Sequence, residues 1–264
     1  MRAYDFEYDG SNLSDYGFMI CSIGSQGLQT LSNGAEITFN TLPVQRGKKH
    51  ELSSVRYDSC LETVIQICKN PCGVDEMEIS IDEQRLLARW LNHEEYRKFK
   101  ILGDEYLNFY YEAAFNIKCV EFDGRVCALE LDVKTNRPFA LLEMSRTEIE
   151  NNIAGEEHII YDNSDVEGHI YPKMVVEIME DGDLDIYNDI EKRHTLITEC
   201  KNGETIEMEY PMISTNDETH KIQDCFNWEF FRVANSRMNN INRITVSLKC
   251  KIKIEYSPYA KIGL

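Results

Sequence analysis

Four aspartates in the second half of the chain have a spacing that suits a hard cation, because oxygen ligands at alternate positions can converge on one ion. They are Asp181, Asp183, Asp185 and Asp189. A calcium loop beginning at Asp181 needs glycine where Ile186 stands and glutamate where Lys192 stands. The alternation of Leu184 and Ile186 also fits a strand with its acidic side chains outward. Both interpretations stay open, and the two departures favour the strand.

The cysteines provide a second metal-ligating candidate. The chain has nine, and only Cys60, Cys68 and Cys72 lie close together in sequence. Structural zinc sites usually combine two closely spaced pairs, and this cluster has one C-x3-C spacing with no second pair nearby. An odd number of cysteines cannot all pair within one chain, and cytoplasmic thiols stay reduced. We therefore predict that no metal and no disulfide supports the fold.

Residue types that could catalyse a reaction do not form a recognisable motif. His93 precedes Glu94 and Glu95, but a metallohydrolase helix needs a second histidine one turn later, where Arg97 stands. The remaining five histidines are scattered, and no serine lies in a G-x-S-x-G motif. Carboxylate pairs are too common in an acidic chain to indicate a glycosidase. We predict a protein that is not an enzyme, with no catalytic residue and no cofactor.

An aromatic cluster near the C-terminus could bind a ligand by stacking. It comprises Phe226, Trp228, Phe230 and Phe231. In a lectin such rings stack on sugar faces, whereas in most β-sandwiches they fill the core. The sequence favours core packing and leaves sugar binding as the alternative.

One helix is predicted near 81–92. Ser80 and Glu83 have the spacing of a capping box, and apolar residues follow at helical intervals. The predicted apolar stripe comprises Ile81, Leu86, Leu87, Trp90 and Leu91.

A hairpin is predicted directly after this helix and a short strand. Apolar and polar residues alternate from Tyr111 to Cys119 and again from Val126 to Val133, around a turn at Asp123-Gly124. Either Ala128 or Leu129 continues the inward side of the second strand. The order of these elements predicts a helix packed on an antiparallel sheet.

Two domains are predicted, at 1–138 and 139–264. The exit from the first lies at Arg137-Pro138, because a residue before proline is driven towards extended geometry. The acidic segment Ser145 to Gly155 is interpreted as a short helix or a linker. Short alternating strands with Asp-Gly and Asn-Gly turns then predict a jelly-roll β-sandwich, whose final strand runs from Ile244 to Tyr256.

The charge distribution excludes some function classes. The net charge is −18, and residues 143–191 alone carry fifteen acidic and two basic side chains. Binding of nucleic acid requires basic side chains that displace phosphate counterions, so we predict no specific nucleic-acid partner. No apolar run approaches the roughly 20 residues that cross a bilayer, and the first residues lack the apolar core of a signal peptide. We therefore predict no membrane association, and folding in cytoplasm.

Four stretches together resemble the distal tail protein (Dit) family of long-tailed, non-contractile bacteriophages and their prophages. FEYDGSNLSDYGFMI, at 6–20, is similar to the family's opening strand, turn and Ser-Asp-Tyr-Gly element. LPVQRGKKHEL resembles its Pro-x-x-x-Gly segment. The helix ending in Trp90-Leu91, with the hairpin and the exit at 137–139, matches the family's middle. The last strand at 244–256, with its short basic tail, resembles the family's end.

This resemblance implies a fold and a role. The fold would be mainly β, with a β-sandwich-like, helix-bearing first domain and a galectin-like second sandwich. The protein would be a structural component of the virion, a homohexameric ring that connects the tail tube to the baseplate or tail-tip hub. Its partners would be copies of itself, the tail tube protein, the tail-associated hub or lysin protein and a receptor-binding protein. The alternative function is a carbohydrate-binding or receptor-binding β-sandwich module of the tail tip.

The resemblance also implies a site. In the family the segment that corresponds to Pro43 to Lys49 helps neighbouring subunits to clasp one another. The candidate inter-subunit arm residues are therefore Pro43, Arg46, Gly47, Lys48 and Lys49.

Overall fold

The computed structural model of the protein describes residues 3–22, 36–57, 60–72, 77–236 and 239–263. Strands dominate and pair antiparallel, so the predicted mainly β fold is confirmed. The chain divides into two compact units, Met1–Leu142 together with Ala260–Leu264, and Glu143–Tyr259. The predicted division had placed the last residues in the second domain.

The described residues of the first unit form ten strands and one α-helix before the chain passes into the second unit. They are β1 (Asp5–Tyr8), β2 (Ser11–Asn12), β3 (Phe18–Cys21), β4 (Ile37–Val44), β5 (Lys49–Tyr57), β6 (Glu62–Lys69), α1 (Ile81–Leu91), β7 (Arg97–Leu102), β8 (Phe109–Phe122), β9 (Arg125–Thr135) and β10 (Ala140–Leu142). Short 3-10 turns lie at Leu13–Tyr16 and Gln45–Gly47.

The main sheet of the first unit has the order β2-β1-β7-β8-β9-β6-β3, and β10 extends it beside β8. The sheet curls so far that the amide of Ile20 in β3 donates to the carbonyl of Tyr4, next to β1. Aromatic side chains from several strands meet inside this curl, with Phe6, Phe99 and Phe115 in mutual ring contact. The first core is therefore enclosed by one wrapped sheet and by α1.

Helix α1 begins as predicted. Ser80 Oγ accepts from the amide of Glu83, whose carboxylate accepts from the amide of Ser80. The apolar stripe is narrower than predicted. Leu87, Trp90 and Leu91 are buried, whereas Ile81 and Leu86 are exposed. At about 100° per residue, Ile81 lies on the opposite side of the helix from Trp90. The prediction was wrong for Ile81 and for Leu86.

The β8–β9 hairpin turns at Asp123-Gly124 as predicted, with both residues at positive φ. This conformation is the one that Asp-Gly turns between twisted strands adopt. A β-bulge places Val120 opposite Ala128 and Glu121 opposite Val126, so Cys127 is an extra residue. Both Ala128 and Leu129 are buried, so each of the two alternatives in the sequence pattern is an inward position.

The β4–β5 hairpin forms a separate two-stranded sheet. Every residue of β5 is exposed, and so is every residue of β4 except Val44. Among the described strands, neither pairs with a strand of the main sheet. The hairpin therefore extends from the first unit instead of contributing to its core.

Within the described part of the second unit there are eleven strands and one short helix, and a final strand leads out of it. They are β11 (Ser145–Asn151), β12 (Glu156–Tyr161), β13 (Gly168–Ile170), β14 (Lys173–Ile178), β15 (Gly182–Asn188), β16 (Arg193–Cys200), β17 (Thr205–Glu209), β18 (Met212–Thr215), α2 (Ile222–Cys225), β19 (Val233–Asn235), β20 (Ile241–Val246), β21 (Cys250–Tyr256) and β22 (Tyr259–Ala260).

Two sheets of the second unit enclose one core. The first has the order β11-β21-β14-β17-β18 and the second β12-β20-β15-β16. Val176 and Ile252 from the first sheet belong to the same buried cluster as Ile186 and Ile244 from the second. This arrangement is a β-sandwich.

The strand predicted from Ile244 to Tyr256 is in fact two strands, so that prediction was wrong. β20 belongs to one sheet and β21 to the other. The apolar alternation continues across the break, with Val246, Leu248 and Cys250 all buried. The alternation continues because both sheets face the same core. It therefore gives no sign that the chain passes from one sheet to the other.

The acidic segment from Ser145 is also a strand, and the prediction of a helix or linker there was wrong. β11 pairs with β21 along its whole length, and this register sets Glu148 opposite Lys253 and Glu150 opposite Lys251. Opposite charges across an antiparallel pair stabilise it by about 0.2–1 kcal/mol each. Part of the local acidic excess is therefore matched by the lysines of the next strand.

The chain returns to the first unit at its end. β22 pairs with β10, and Ala260 is buried in the first core. The hydroxyl of Tyr111 donates to the carbonyl of Gly263 over 2.8 Å. The first unit is thus built from both ends of the sequence, with the second unit inserted between Leu142 and Ala260.

Candidate functional site

The five predicted arm residues lie around the tip of the β4–β5 hairpin, which we call the arm (residues 37–57). Pro43 is in β4 opposite His50, and Lys49 opens β5, where its ammonium group contacts Glu51 over 2.9 Å. Arg46 and Gly47 lie in the turn, and Lys48 follows it. The structure therefore brings the predicted residues together, on a longer element than the sequence indicated.

The backbone of the tip is strained. Gln45, Arg46 and Gly47 all have positive φ, which glycine adopts freely and other residues do not. Each non-glycine residue held in this region costs of the order of 1 kcal/mol or more. The strain turns the chain sharply and leaves the side chain of Arg46 on an exposed hairpin end.

The arm carries apolar side chains in solvent. Ile37 lies directly opposite Tyr57 and Phe39 directly opposite Val55, so these four side chains share one face. All four are exposed, and the ring of Phe39 is 63% accessible. Leu42 and Leu52, nearer the tip, are exposed as well. An isolated hairpin in water is marginally stable, and exposed apolar faces of this kind usually mark an interaction surface.

One described contact joins the base of the arm to the rest of the first unit. The ring of Tyr57 packs edge-on against Phe139, with centroids 4.6 Å apart. In the described residues the arm sheet consists of β4 and β5, and the edge of such a hairpin is a place where another strand could bind.

The four aspartates do not converge on one point. Asp181 accepts from the amide of Asn202, Asp183 accepts from the amide of Glu199, and Asp185 contacts His194 Nδ1 over 2.9 Å. Asp189 pairs with Lys192. These bonds fix the hairpin formed by β15 and β16, as expected for a strand with outward acidic residues.

In the structure Cys68 interacts with Cys21, which lies outside the sequence cluster of Cys60, Cys68 and Cys72. Burial, and then hydrogen bonding with Cys68 on the neighbouring strand, raise the pKa of Cys21 to about 12. Cys72 is exposed on a turn after the same strand, and Cys60 precedes it. Within the described residues, no group of three or more histidine, cysteine, aspartate or glutamate side chains could hold a metal ion. Cys119, at an apolar-phase strand position, is exposed.

His93 and His220 also contact side chains of the surrounding fold. The ring of His93 packs against Tyr8 at the end of α1. His220 and Glu204 form a buried pair that sequence reasoning missed, with Nδ1 2.6 Å from Oε1. The same oxygen accepts from Thr215. The pair links residues sixteen positions apart in a loop region, and no motif could have indicated it.

Three of the four clustered aromatics lie in the core, as the sequence favoured, and one does not. Phe226, Phe230 and Phe231 are buried, whereas Trp228 is 55% exposed. Trp228 has a φ of 60°, a left-handed conformation that is unusual for a bulky residue. Its loop runs between α2 and β19.

A second exposed aromatic side chain shares the same support. Tyr210, 56% exposed, stacks on Tyr171 with centroids 4.3 Å apart and meets Phe230 edge-on at 5.4 Å. Trp228 meets Phe230 at 6.4 Å. The guanidinium of Arg232 lies 5.9 Å from the centre of the Tyr171 ring. Trp228 and Tyr210 therefore both contact one buried ring, that of Phe230.

Comparisons with known proteins agree over the whole length. A family model described as the N-terminal domain of phage tail proteins matches residues 1–137, and one described as the phage tail C-terminal domain matches residues 139–256. No curated protein sequence matches the chain. None of the helices in the described residues is long and apolar enough to span a membrane.

Among solved structures, the chain resembles the Dit protein of phage SPP1, described as a paradigm of the hub adsorption apparatus in phages that infect Gram-positive bacteria. The TM-score is 0.66 at 10% sequence identity, over 97% of this chain and 99% of the SPP1 chain. At this identity the likeness shows a common fold, and that fold extends over both units. With its two halves matched by the N-terminal and C-terminal family models, the chain belongs to the phage tail protein family.

Proposed function

We propose that this phage tail protein forms the distal tail ring, the connection between the tail tube and the tail-tip hub. The first unit builds a homohexameric ring through the arm, and the second unit is a galectin-like sandwich. The fold shared with SPP1 Dit supports the position in the tail. The observation that carries the assembly mechanism is the exposed apolar arm.

The arm has the properties of a segment that is completed by another subunit. Its apolar face, formed by Ile37, Phe39, Val55 and Tyr57, belongs to neither buried core. Burial of apolar surface contributes about 25 cal/mol per Å², so two aromatic and two aliphatic side chains stabilise a contact by several kcal/mol once covered. A neighbouring subunit would supply that cover.

A ring needs two different complementary surfaces on each subunit, because every subunit meets one neighbour in front and another behind. An arm extending from one subunit onto the sheet of the next forms such a head-to-tail contact. The strand edges of the arm would allow backbone pairing with the neighbour.

The positive charge at the tip of the arm supports contact with an adjacent copy. The tip carries Arg46, Lys48 and Lys49, whereas the whole chain has a net charge of −18. A basic tip is attracted to the acidic surface of an adjacent copy, and such contacts between exposed charges weaken as salt increases. Assembly should therefore be salt-sensitive.

In this role the protein is connective and not catalytic. Its partners are further copies of itself, the tail tube protein, the tail-associated hub or lysin protein and a receptor-binding protein, at the tail tip of the virion. DNA would pass through the ring without specific contact, in agreement with the acidic balance of the chain.

The decisive experiment replaces the apolar face of the arm with threonine, which keeps the strand propensity. The double variant Phe39→Thr/Val55→Thr should remain folded and lose the assembly of about six times 30.7 kDa that the wild type forms, alone or with its tail partners. Native mass spectrometry measures this mass directly. Deletion of residues 44–49 should weaken the ring in the same way.

A matched control is Phe122→Thr, which removes an exposed aromatic ring from the end of the other long hairpin in the same unit. This control should assemble normally. The arm mechanism is wrong if the double variant assembles like the wild type, or if wild-type protein stays monomeric at high concentration with its tail partners present.

A further inference from the structure

We infer that Trp228 and Tyr210 form a stacking site for the pyranose ring of a neutral glycan built from hexoses or N-acetylhexosamines. The site lies in the second unit and is independent of the proposed ring, which is built by the first. We call it the aromatic platform and define it as Trp228, Tyr210 and the buried Phe230 beneath them.

The exposure of Trp228 is imposed by a rigid backbone. Asn227 donates through its amide to Leu196 and through its side chain to His194, and Thr195 Oγ1 donates to the carbonyl of Glu229. These bonds to β16 hold the loop on both sides of Trp228. The indole is therefore oriented before any ligand arrives, and little side-chain or loop freedom is lost on binding.

The position of Trp228 has no evident folding purpose. A large aromatic residue at φ 60° is strained, and glycine would occupy this position without strain. The strain does not serve burial, because more than half of the indole is in solvent. A strained, exposed and rigidly held side chain is typical of a binding site.

The second ring sets the size of the ligand. Tyr210 and Trp228 both contact Phe230, so their centres are no farther apart than the sum of the two contact distances, 5.4 and 6.4 Å. Rings within that distance of each other can stack on one sugar or on two consecutive sugars of a chain. The C–H face of a pyranose is apolar and matches an aromatic face, while its hydroxyls remain at the rim.

The rim carries polar groups suited to hydroxyls. Glu229, next to Trp228, is half exposed and pairs with Arg193. Arg232, beside the Tyr171 ring that supports Tyr210, pairs with Glu191. Carboxylates and guanidinium groups bind hydroxyls through directed hydrogen bonds. The negative charge of the chain disfavours acidic sugars and the phosphates of nucleic acid, so a neutral glycan is the ligand class that fits.

The test uses the full-length protein on an array of oligosaccharides of glucose, galactose, N-acetylglucosamine and N-acetylgalactosamine. The wild type should bind at least one of them. In solution, that sugar at millimolar concentration should reduce acrylamide quenching of tryptophan fluorescence at least twofold. The readout is specific, because the chain has two tryptophans and Trp90 is only 8% exposed.

The variant Trp228→Gly separates binding from folding, since glycine suits the positive φ and should leave the melting temperature of the second unit unchanged. It should lower sugar binding at least tenfold, and Tyr210→Ala should lower it severalfold. The control Tyr161→Ala, which removes another exposed aromatic ring of the same unit, should bind within twofold of wild type.

Three results would overturn the inference. They are no binding to any of these glycans, undiminished binding by Trp228→Gly, or protection of Trp228 by a neighbouring tail protein and by no sugar. Each of them leaves the proposed ring of the first unit untouched.

Discussion

Replacement of Trp90 by phenylalanine should destabilise the first unit, because one hydrogen bond is lost and the stacking on Tyr16 becomes weaker. The indole Nε1 of Trp90 donates to the carbonyl of Tyr8 over 3.0 Å, and its ring stacks on Tyr16 with centroids 4.3 Å apart and planes 18° from parallel. Phenylalanine keeps an apolar ring at the site and has no donor.

The magnitude follows from these contacts. A buried carbonyl that loses its donor costs about 1–3 kcal/mol. Weaker stacking on Tyr16 costs up to about 1 kcal/mol, and the void left by the smaller ring adds about 1 kcal/mol. The combined loss is roughly 2–5 kcal/mol, which for a unit of this size lowers the melting temperature by about 5–20 °C.

Differential scanning calorimetry measures this loss, because the two units give separate transitions if each has its own core. The matched control is Trp228→Phe, the same chemical change at an exposed position of the other unit, which should shift neither transition by more than about 1 °C. The reasoning fails if Trp90→Phe costs less than about 1 kcal/mol, or if the two variants shift the same transition.

Three further predictions concern pH, thiol reactivity and the C-terminal tail. Burial opposes ionisation of Glu83, but hydrogen bonds from Lys69 and Ser80 outweigh this effect and lower the pKa of Glu83. The stability advantage of wild type over Glu83→Gln should therefore be full at neutral pH and disappear as the pH falls below the usual glutamate range. Urea titrations at several pH values measure this advantage. Burial raises the pKa of Cys250 to about 12. Iodoacetamide at neutral pH should therefore alkylate the exposed Cys72 and leave Cys250 unmodified until the protein unfolds. Mass spectrometry of the labelled peptides measures this, and alkylation of both cysteines at the same rate would contradict it. Tyr111→Phe removes the donor to the tail carbonyl and should lower the stability of the first unit by about 1–2 kcal/mol while the second unit melts unchanged.

Local patterns predicted the local structure well. The capping box at Ser80 and Glu83 and the turn at Asp123-Gly124 depend on a few consecutive residues whose backbone preferences are strong. The mainly β class followed from the many alternating segments, and the phage tail family followed from the resemblance of scaffold residues.

Features that depend on distant partners could not be read from the sequence. The polar, acidic composition of Ser145 to Gly155 indicated a short helix or a linker, because the lysines that pair with the glutamates of β11 lie about a hundred residues later. The break between β20 and β21 left no trace, because the alternation fits either sheet. Ile81 was misplaced because one apolar residue at a helix start does not define a face.

The candidate site was only partly predictable. The five residues named from the resemblance mark the tip of the arm, but the alternating β4 and β5 look like ordinary half-buried strands in sequence. The exposure of β4 and β5 is seen only in the folded chain, where no layer of the described residues covers either face. Likewise, the composition of the aromatic cluster could not show that Trp228 points outward, since its direction is set by a positive φ and by bonds from β16.

The return of the chain into the first unit has a consequence for how such proteins diversify. The second unit begins after Leu142 and ends before Ala260, and the strands that carry these residues, β10 and β22, are paired. Neighbouring strands in a sheet lie about 5 Å apart. Any domain whose own termini are close together could therefore be exchanged at this point by recombination, without changing the path of the first core. A cut in the connection after Leu142 alone would leave the second unit still held through the buried end of the chain.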